Sequence, residues 1–167
     1  MPEIKVQRDY LTGSIGRIIE LHGRYYQKNW GFGAFFEIKV ARELSEFMER
    51  YNNERDGFWT ATLDGQVEGS IALDGMDAGG KGGHMRWFIV SDVLRGQGVG
   101  NRLMNEAIYF CKRKGYERVY LWTFEGLHAA RHLYDKAGFE LVEQHKGRQW
   151  GTEVNEQRFE LLILGDG

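Results

Sequence analysis

The sequence predicts a single α/β (α+β) domain, a mixed central sheet of about seven strands flanked by four helices. Three observations point there. The chain has 167 residues, enough for one sizeable core and short for two. Hydrophobic residues make up 42% and aromatics 14%, well above the composition of a disordered chain. Strand-like and helix-like blocks follow as strand, two helices, three strands, helix, strand, helix and two strands, which is not a repeated βαβ array. Residues 1–167 therefore read as one domain, with no repeats, linker or low-complexity tail.

"IKVQRD" alternates apolar and polar residues and predicts the first strand. "GSIGRIIELHGRYYQKNW" places Ile15, Ile18, Ile19, Tyr25 and Tyr26 at helical spacing, with Ser14 as the expected N-cap. "GFGAFF" interrupts it, and a second helix is expected from about Phe36 to Tyr51. "GFWTATLDGQVEGSIALDG" holds two alternating runs around Asp64-Gly65, a strong hairpin signal. "MDAGGKGGH" reads as a loop, and "MRWFIV" as a strand apolar enough to lie centrally. A helix follows to about Lys114, closed by Gly115. "RVYLWTF" is a strand, "LHAARHLYDKA" a helix closed by Gly138, and "FELVEQHKG" and "EQRFELLIL" two last strands.

A formal charge of −2 from 22 basic and 24 acidic residues argues against a nucleic-acid binder driven by net charge. Cys111 is the single cysteine, so no internal disulfide exists, and a small buried thiol is expected. No leader is read at the start, and no apolar run approaches the roughly 20 residues of a membrane span. The expectation is a soluble protein of a reducing, cytoplasmic compartment, with no membrane partner.

Chemistry concentrates in "VLRGQGVGNRLMNEAIYF", where Gly96, Gly98 and Gly100 precede a helix. Glycines there bring bare backbone close to a ligand, and successive amides at a helix start favour an anion. Neither better-known phosphate loop fits. "GGKGGH" lacks the hydroxyl residue and helix of a P-loop. Asn101 stands where the dinucleotide fingerprint needs its third glycine. Arg95-Gly96-Gln97-Gly98-Val99-Gly100 remains, and from the glycines alone a pyrophosphate cradle and a tight packing turn both stand.

R-x-x-G-x-G after an apolar strand, followed by "LYDKAGF", resembles the signature pair of the GNAT superfamily of N-acetyltransferases. The order of "MRWFIV", "LRGQGVG", "LWTFEGLHAARHLYDKAGF", "WG" and "EQRFEL" is similar to the acetyltransferase domain found fused to MarR-type regulators. The resemblance runs from about Trp30 onward. It implies acetyl-CoA as cosubstrate and a splayed strand pair that binds it. Phe88, Ile89 and Val90 would offer backbone to the pantetheine. Arg95, Gly96, Gln97, Gly98, Val99, Gly100 and Asn101 would hold the pyrophosphate. Tyr134 would be the general acid that protonates the departing thiolate. Without the resemblance, Tyr134 reads as a core aromatic beside Leu133 and Ala137. Many relatives carry an asparagine where Leu127 stands here, so that contact is expected to be missing.

The acceptor amine must lose a proton, and Glu37 in "AFFEIKV" is the first candidate base, Glu125 the second. Both also read as solvated glutamates. His128 and His132 have zinc spacing, but no third ligand is evident and no metal is expected. "CKRKGYER" could meet a cofactor phosphate or simply end a helix in solvent. Among the large aromatics, Trp150 is expected to wall an acceptor pocket, with Glu156 nearby. The resemblance implies a primary amine as acceptor, small-molecule or protein-borne, and the terminal strands leave room for a homodimer. The rival to an enzyme is a non-catalytic acyl-CoA sensor.

Overall fold

A computed structural model describes residues 2–163. Strand β1 (Ile4–Arg8) leads into helices α1 (Ser14–Trp30) and α2 (Ala34–Glu49), then strands β2 (Gly57–Leu63), β3 (Gln66–Asp74) and β4 (Gly83–Val90). A 3-10 turn at Asp92–Leu94 precedes α3 (Val99–Lys114), β5 (Arg118–Phe124), α4 (His128–Ala137), β6 (Glu140–Gly147) and β7 (Val154–Leu162). The strands form one sheet in the order β1-β2-β3-β4-β5-β7-β6, antiparallel throughout except for the parallel step between β4 and β5.

Successive strand residues point to opposite faces, and this alternation builds two apolar layers. Phe58 and Ala72 face Ile18 of α1 and Leu44 and Phe47 of α2. Their neighbours Trp59, Ile71 and Leu73 face Leu103, Ala107 and Phe110 of α3. Helices thus cover both faces, which is why β2 and β3 are buried almost end to end. Asp64 and Gly65 turn the β2–β3 hairpin with φ of 50° and 87°, the signs of a type I′ turn.

The element order and the Gly115 and Gly138 caps follow the sequence expectation, both glycines taking left-handed φ. Details differ. Ser14 is not an N-cap: Gly13, at φ 85°, occupies that position, and the Ser14 hydroxyl is buried without a partner. Helix α2 starts two residues before the expected Phe36, because Gly31 in a left-handed conformation turns the chain within Gly31-Phe32-Gly33. Leu164 of the expected last strand lies outside the described residues.

Candidate active site

The site forms where β4 leaves β5. Only Gly83 and His84 of β4 pair with β5, opposite Val119 and Tyr120. On its other side β4 bulges. Ser70 is opposite Ile89 and Ala72 opposite Arg86, so the ladder takes one extra residue at Trp87 and Phe88. Trp87 has φ 46°, a conformation costly for a bulky residue, and the Ser70 hydroxyl holds it by donating to the Trp87 carbonyl at 2.7 Å. Beyond His84 the β5-facing edge of β4 is unpaired, and Phe88, Ile89 and Val90 line a cleft of about 480 Å³.

The glycine loop closes one end of that cleft. The amide of Leu94 donates to the Ser91 carbonyl and that of Arg95 to Asp92, and the α-helical ladder begins with Arg102 on Gly98. The amides between, from Gly96 through Asn101, donate to no protein acceptor among the described residues. Gly96 and Gly98 take left-handed φ of 77° and 74°, which aims successive N–H groups into one concavity at the start of a 16-residue helix. Gly100 has a different reason to be glycine, since a Cβ there would lie 2.9 Å from Leu133 Cδ1. Arg95, Gly96, Gly98, Val99, Gly100 and Asn101 line the cleft, whereas Gln97 is exposed and does not line it. The Arg95 side chain pairs with Asp92 at 3.0 Å.

A second cavity, of about 170 Å³, opens on the other side of β4 toward α1 and α2. The two share Tyr26, Phe88, Leu127 and Tyr134. Tyr134 of α4 is buried among Phe88, Phe139 and Phe159, and burial pushes its phenol well above its ordinary range. It therefore stays protonated at neutral pH.

Residues 15–139 match the acetyltransferase (GNAT) family. The chain belongs to that family. It is similar to an uncharacterised N-acetyltransferase of Methanocaldococcus jannaschii, 26% identical over 84% of this chain and 62% of that protein. It is also similar to human N-acetylaspartate synthetase, 29% identical over 70% of this chain and 38% of that protein. The chain spans about half the length of the curated relatives it matches. Among solved structures, a Salmonella typhimurium protein determined with its cofactor acetyl-CoA superposes with TM-score 0.74 at 14% identity, covering 95% of this chain and 93% of that one. A Streptococcus agalactiae acetyltransferase gives 0.70 at 20%, covering 97% and 98%. At these identities the likeness concerns the GNAT fold.

Neither candidate base reaches the junction. Glu37 is exposed between α1 and α2, its Oε1 2.5 Å from where a Cβ on Gly23 would sit, and it lines neither cavity. Glu125 is exposed in the turn after β5 and accepts from the Asn155 side chain at 3.0 Å. Trp150 lines the smaller cavity, and buried Glu156 stands behind it, accepting from the Gln149 side chain at 2.6 Å and from the Gln149 amide. His128 and His132 line the larger cleft, and among the described residues no three His, Cys, Asp or Glu side chains gather as a metal site. Cys111 is buried in the core, and burial pushes its thiol up to about 12. The basic cluster Lys112, Arg113 and Lys114 ends α3, about 24 Å along the helix from the glycine loop. Those charges suit the helix C-terminus. No described helix is long and apolar enough to cross a membrane.

The smaller GNAT cavity holds groups the sequence reading missed. Lys39 and Glu43 of α2 pair at 2.6 Å, and Arg86 of β4 donates to the other Glu43 oxygen at 2.8 Å. His22 donates from Nδ1 to the Ile18 carbonyl at 2.8 Å, which leaves Nε2 as its acceptor nitrogen. Burial lowers His22 to about 4, and burial together with the Arg86 charge lowers His84 to about 3. Both rings are neutral at neutral pH. The Lys39/Glu43 spacing is visible in sequence, but nothing local announces Arg86 as its partner 43 residues away from Glu43.

Proposed function

We propose that this GNAT chain transfers an acetyl group from acetyl-CoA to a primary amine, small-molecule or protein-borne, by direct attack without a covalent enzyme intermediate. The observation that carries this reading is the meeting of two cavities at Tyr134, with the open amides of Gly96 to Asn101 at the far end of the larger one. Those amides suit a diphosphate, and the unpaired edge of β4 suits the amides of an extended arm. When bound, acetyl-CoA supplies the activated thioester carbonyl. Tyr134 holds its proton at the junction and would give it to the sulfur as the carbon–sulfur bond breaks. Leu127 and Phe88 supply the apolar surface around that point.

Among the described residues that line the smaller cavity, none is a strong candidate for removing the amine's proton. Glu43 is engaged by two cations, and His22 and His84 are weak bases. The acceptor then reacts as the free amine present in solution. We expect log kcat/KM to rise with unit slope as pH increases toward the amine's own pKa. A plateau near pH 6 to 7 in initial-rate profiles would show that a group of the protein takes the proton.

The lack of a free base in the smaller cavity favours a second reading, a non-catalytic acyl-CoA sensor. Thermal shift and thiol release separate the two. Acetyl-CoA at 100 times its Kd adds about 2.7 kcal/mol of stability, worth about 5–10 °C in Tm at this length. An enzyme also releases free thiol over a panel of primary amines, whereas a sensor binds and releases none. Absence of any shift at millimolar acetyl-CoA would remove both readings.

A further inference from the structure

The smaller cavity carries an uneven set of charges. Its wall on α2 and β4 presents Lys39, Glu43 and Arg86, with side chains 25%, 28% and 19% exposed. Both oxygens of Glu43 are already occupied, Oε2 by Lys39 at 2.6 Å and Oε1 by Arg86 at 2.8 Å. The donors are not used up. Lys39 has three ammonium protons and Arg86 five guanidinium protons, and Glu43 engages Lys39 through one ion-pair contact and Arg86 through one hydrogen bond. Asp74 stands 3.8 Å from Arg86 Nη1, beyond hydrogen-bond reach, and is itself held by both Nη atoms of Arg50. The Arg86 guanidinium lies over the Trp87 ring, 4.2 Å from its centroid, a cation–π contact. His22 and His84 add no charge, and Tyr26 and Tyr134 are protonated phenols.

A group arriving at this wall therefore meets spare donors and a local excess of one positive charge. A second ammonium, as on a polyamine, is repelled there, whereas a carboxylate finds charge-assisted partners. Phe36, Trp122, Phe124 and Trp150 give the rest of the cavity a large aromatic share, with neutral polar groups from Thr123 and Gln149 among them. At about 170 Å³ it is small beside the roughly 300–1,000 Å³ of sites for drug-sized ligands.

Resting on the acetyl-transfer reading, we infer that the acceptor is a free amino acid with an apolar or aromatic side chain, its carboxylate bound by Lys39 and Arg86 while its amine faces the Tyr134 junction. Glu43 then acts as a positioning residue, holding the two cations on one wall and moderating their pull.

The test measures thiol release by the full chain with acetyl-CoA and matched pairs: phenylalanine with phenethylamine, tryptophan with tryptamine, leucine with 3-methylbutylamine, and spermidine alone. Comparisons are made at equal free-amine concentration. At least one amino acid should exceed its decarboxylated partner about tenfold or more in kcat/KM, through KM, and spermidine should be the poorest acceptor. Lys39→Met should collapse that ratio at least fivefold. Glu43→Gln, which frees both cations, should lower KM for the amino acid, and this opposite direction is not what structural damage produces. Amines that match or outrun their amino acids, or a ratio untouched by Lys39→Met and Glu43→Gln, overturn the inference while acetyl transfer stands. Acetyl-CoA binding with no turnover on any member of the panel overturns the inference together with the acetyl-transfer reading.

Discussion

Tyr134 shows how much a residue's role depends on surroundings that its neighbours in sequence do not reveal. Its ring packs with Phe88, Phe139 and Phe159 as a core aromatic would, yet it lines both cavities at their junction. Tyr134→Phe keeps the packing and removes only the proton. We expect kcat to fall about 10²-fold, the low end for general acid catalysis because a thiolate leaves readily. Acetyl-CoA affinity, read by calorimetry, should change little, and an unchanged kcat would remove Tyr134 from the chemistry. His22 carries a pH prediction. Its imidazole titrates near 6.5 when unfolded and about 4 when folded. Between those values the unfolded chain binds more protons than the native one, so stability is full above pH 6.5 and falls as pH drops toward 4. The loss is about 3 kcal/mol. His22→Gln, which can still donate to the Ile18 carbonyl, should flatten the denaturation profile across that window, and His84 should contribute in the same direction.

At the scale of elements, the loop into α3 separates two reasons for glycine that the sequence motif merges. Gly98 needs its backbone: φ is 74° and a Cβ would meet nothing within 4 Å. Gly98→Ala should cost about 1 kcal/mol in urea melts through the left-handed conformation alone. Gly100 needs its lack of volume, because a Cβ would press on Leu133 of α4. Gly100→Val should push α4 away from α3 and abolish the acetyl-CoA thermal shift, while Gly98→Ala keeps most of it. Equal effects of the two on binding would mean that the loop acts as one rigid turn. These elements were legible beforehand because their signals are local: a 3.6-residue period, a left-handed cap at Gly115, and Asp64-Gly65 between alternating runs. The misplaced Ser14 cap is instructive for the same reason. Gly13 can take the left-handed turn that starts α1, which leaves the hydroxyl one position too far along to reach an open amide.

For the whole molecule, the consequence of the fold is a sheet partly opened along its parallel seam. Helices brace the sheet from both faces, and β4 keeps its ladder to β3 while leaving β5 after two pairs. Amides of β4 beyond His84 that face β5 should exchange hydrogen quickly in the free protein and become protected when acetyl-CoA is bound. Slow exchange there without ligand would mean that the seam is closed in solution. By contrast, Leu103, fully buried under the sheet, should cost about 2–5 kcal/mol when cut to alanine, with the site left formed in the folded fraction.

The sequence alone determined the order of elements, the glycine loop and the position of Tyr134, since periodicity, turn chemistry and motif spacing act over a few to some twenty residues. It placed Glu37 and Glu125 as candidate bases because a glutamate's direction is invisible in a string of letters. Tertiary structure decided that both face solvent, that Lys39, Glu43 and Arg86 share one wall, and that two cavities meet at one phenol. Those facts depend on α2 crossing β4 and on β4 parting from β5. Such long-range packing is set by both faces of the sheet at once, and no single segment encodes it.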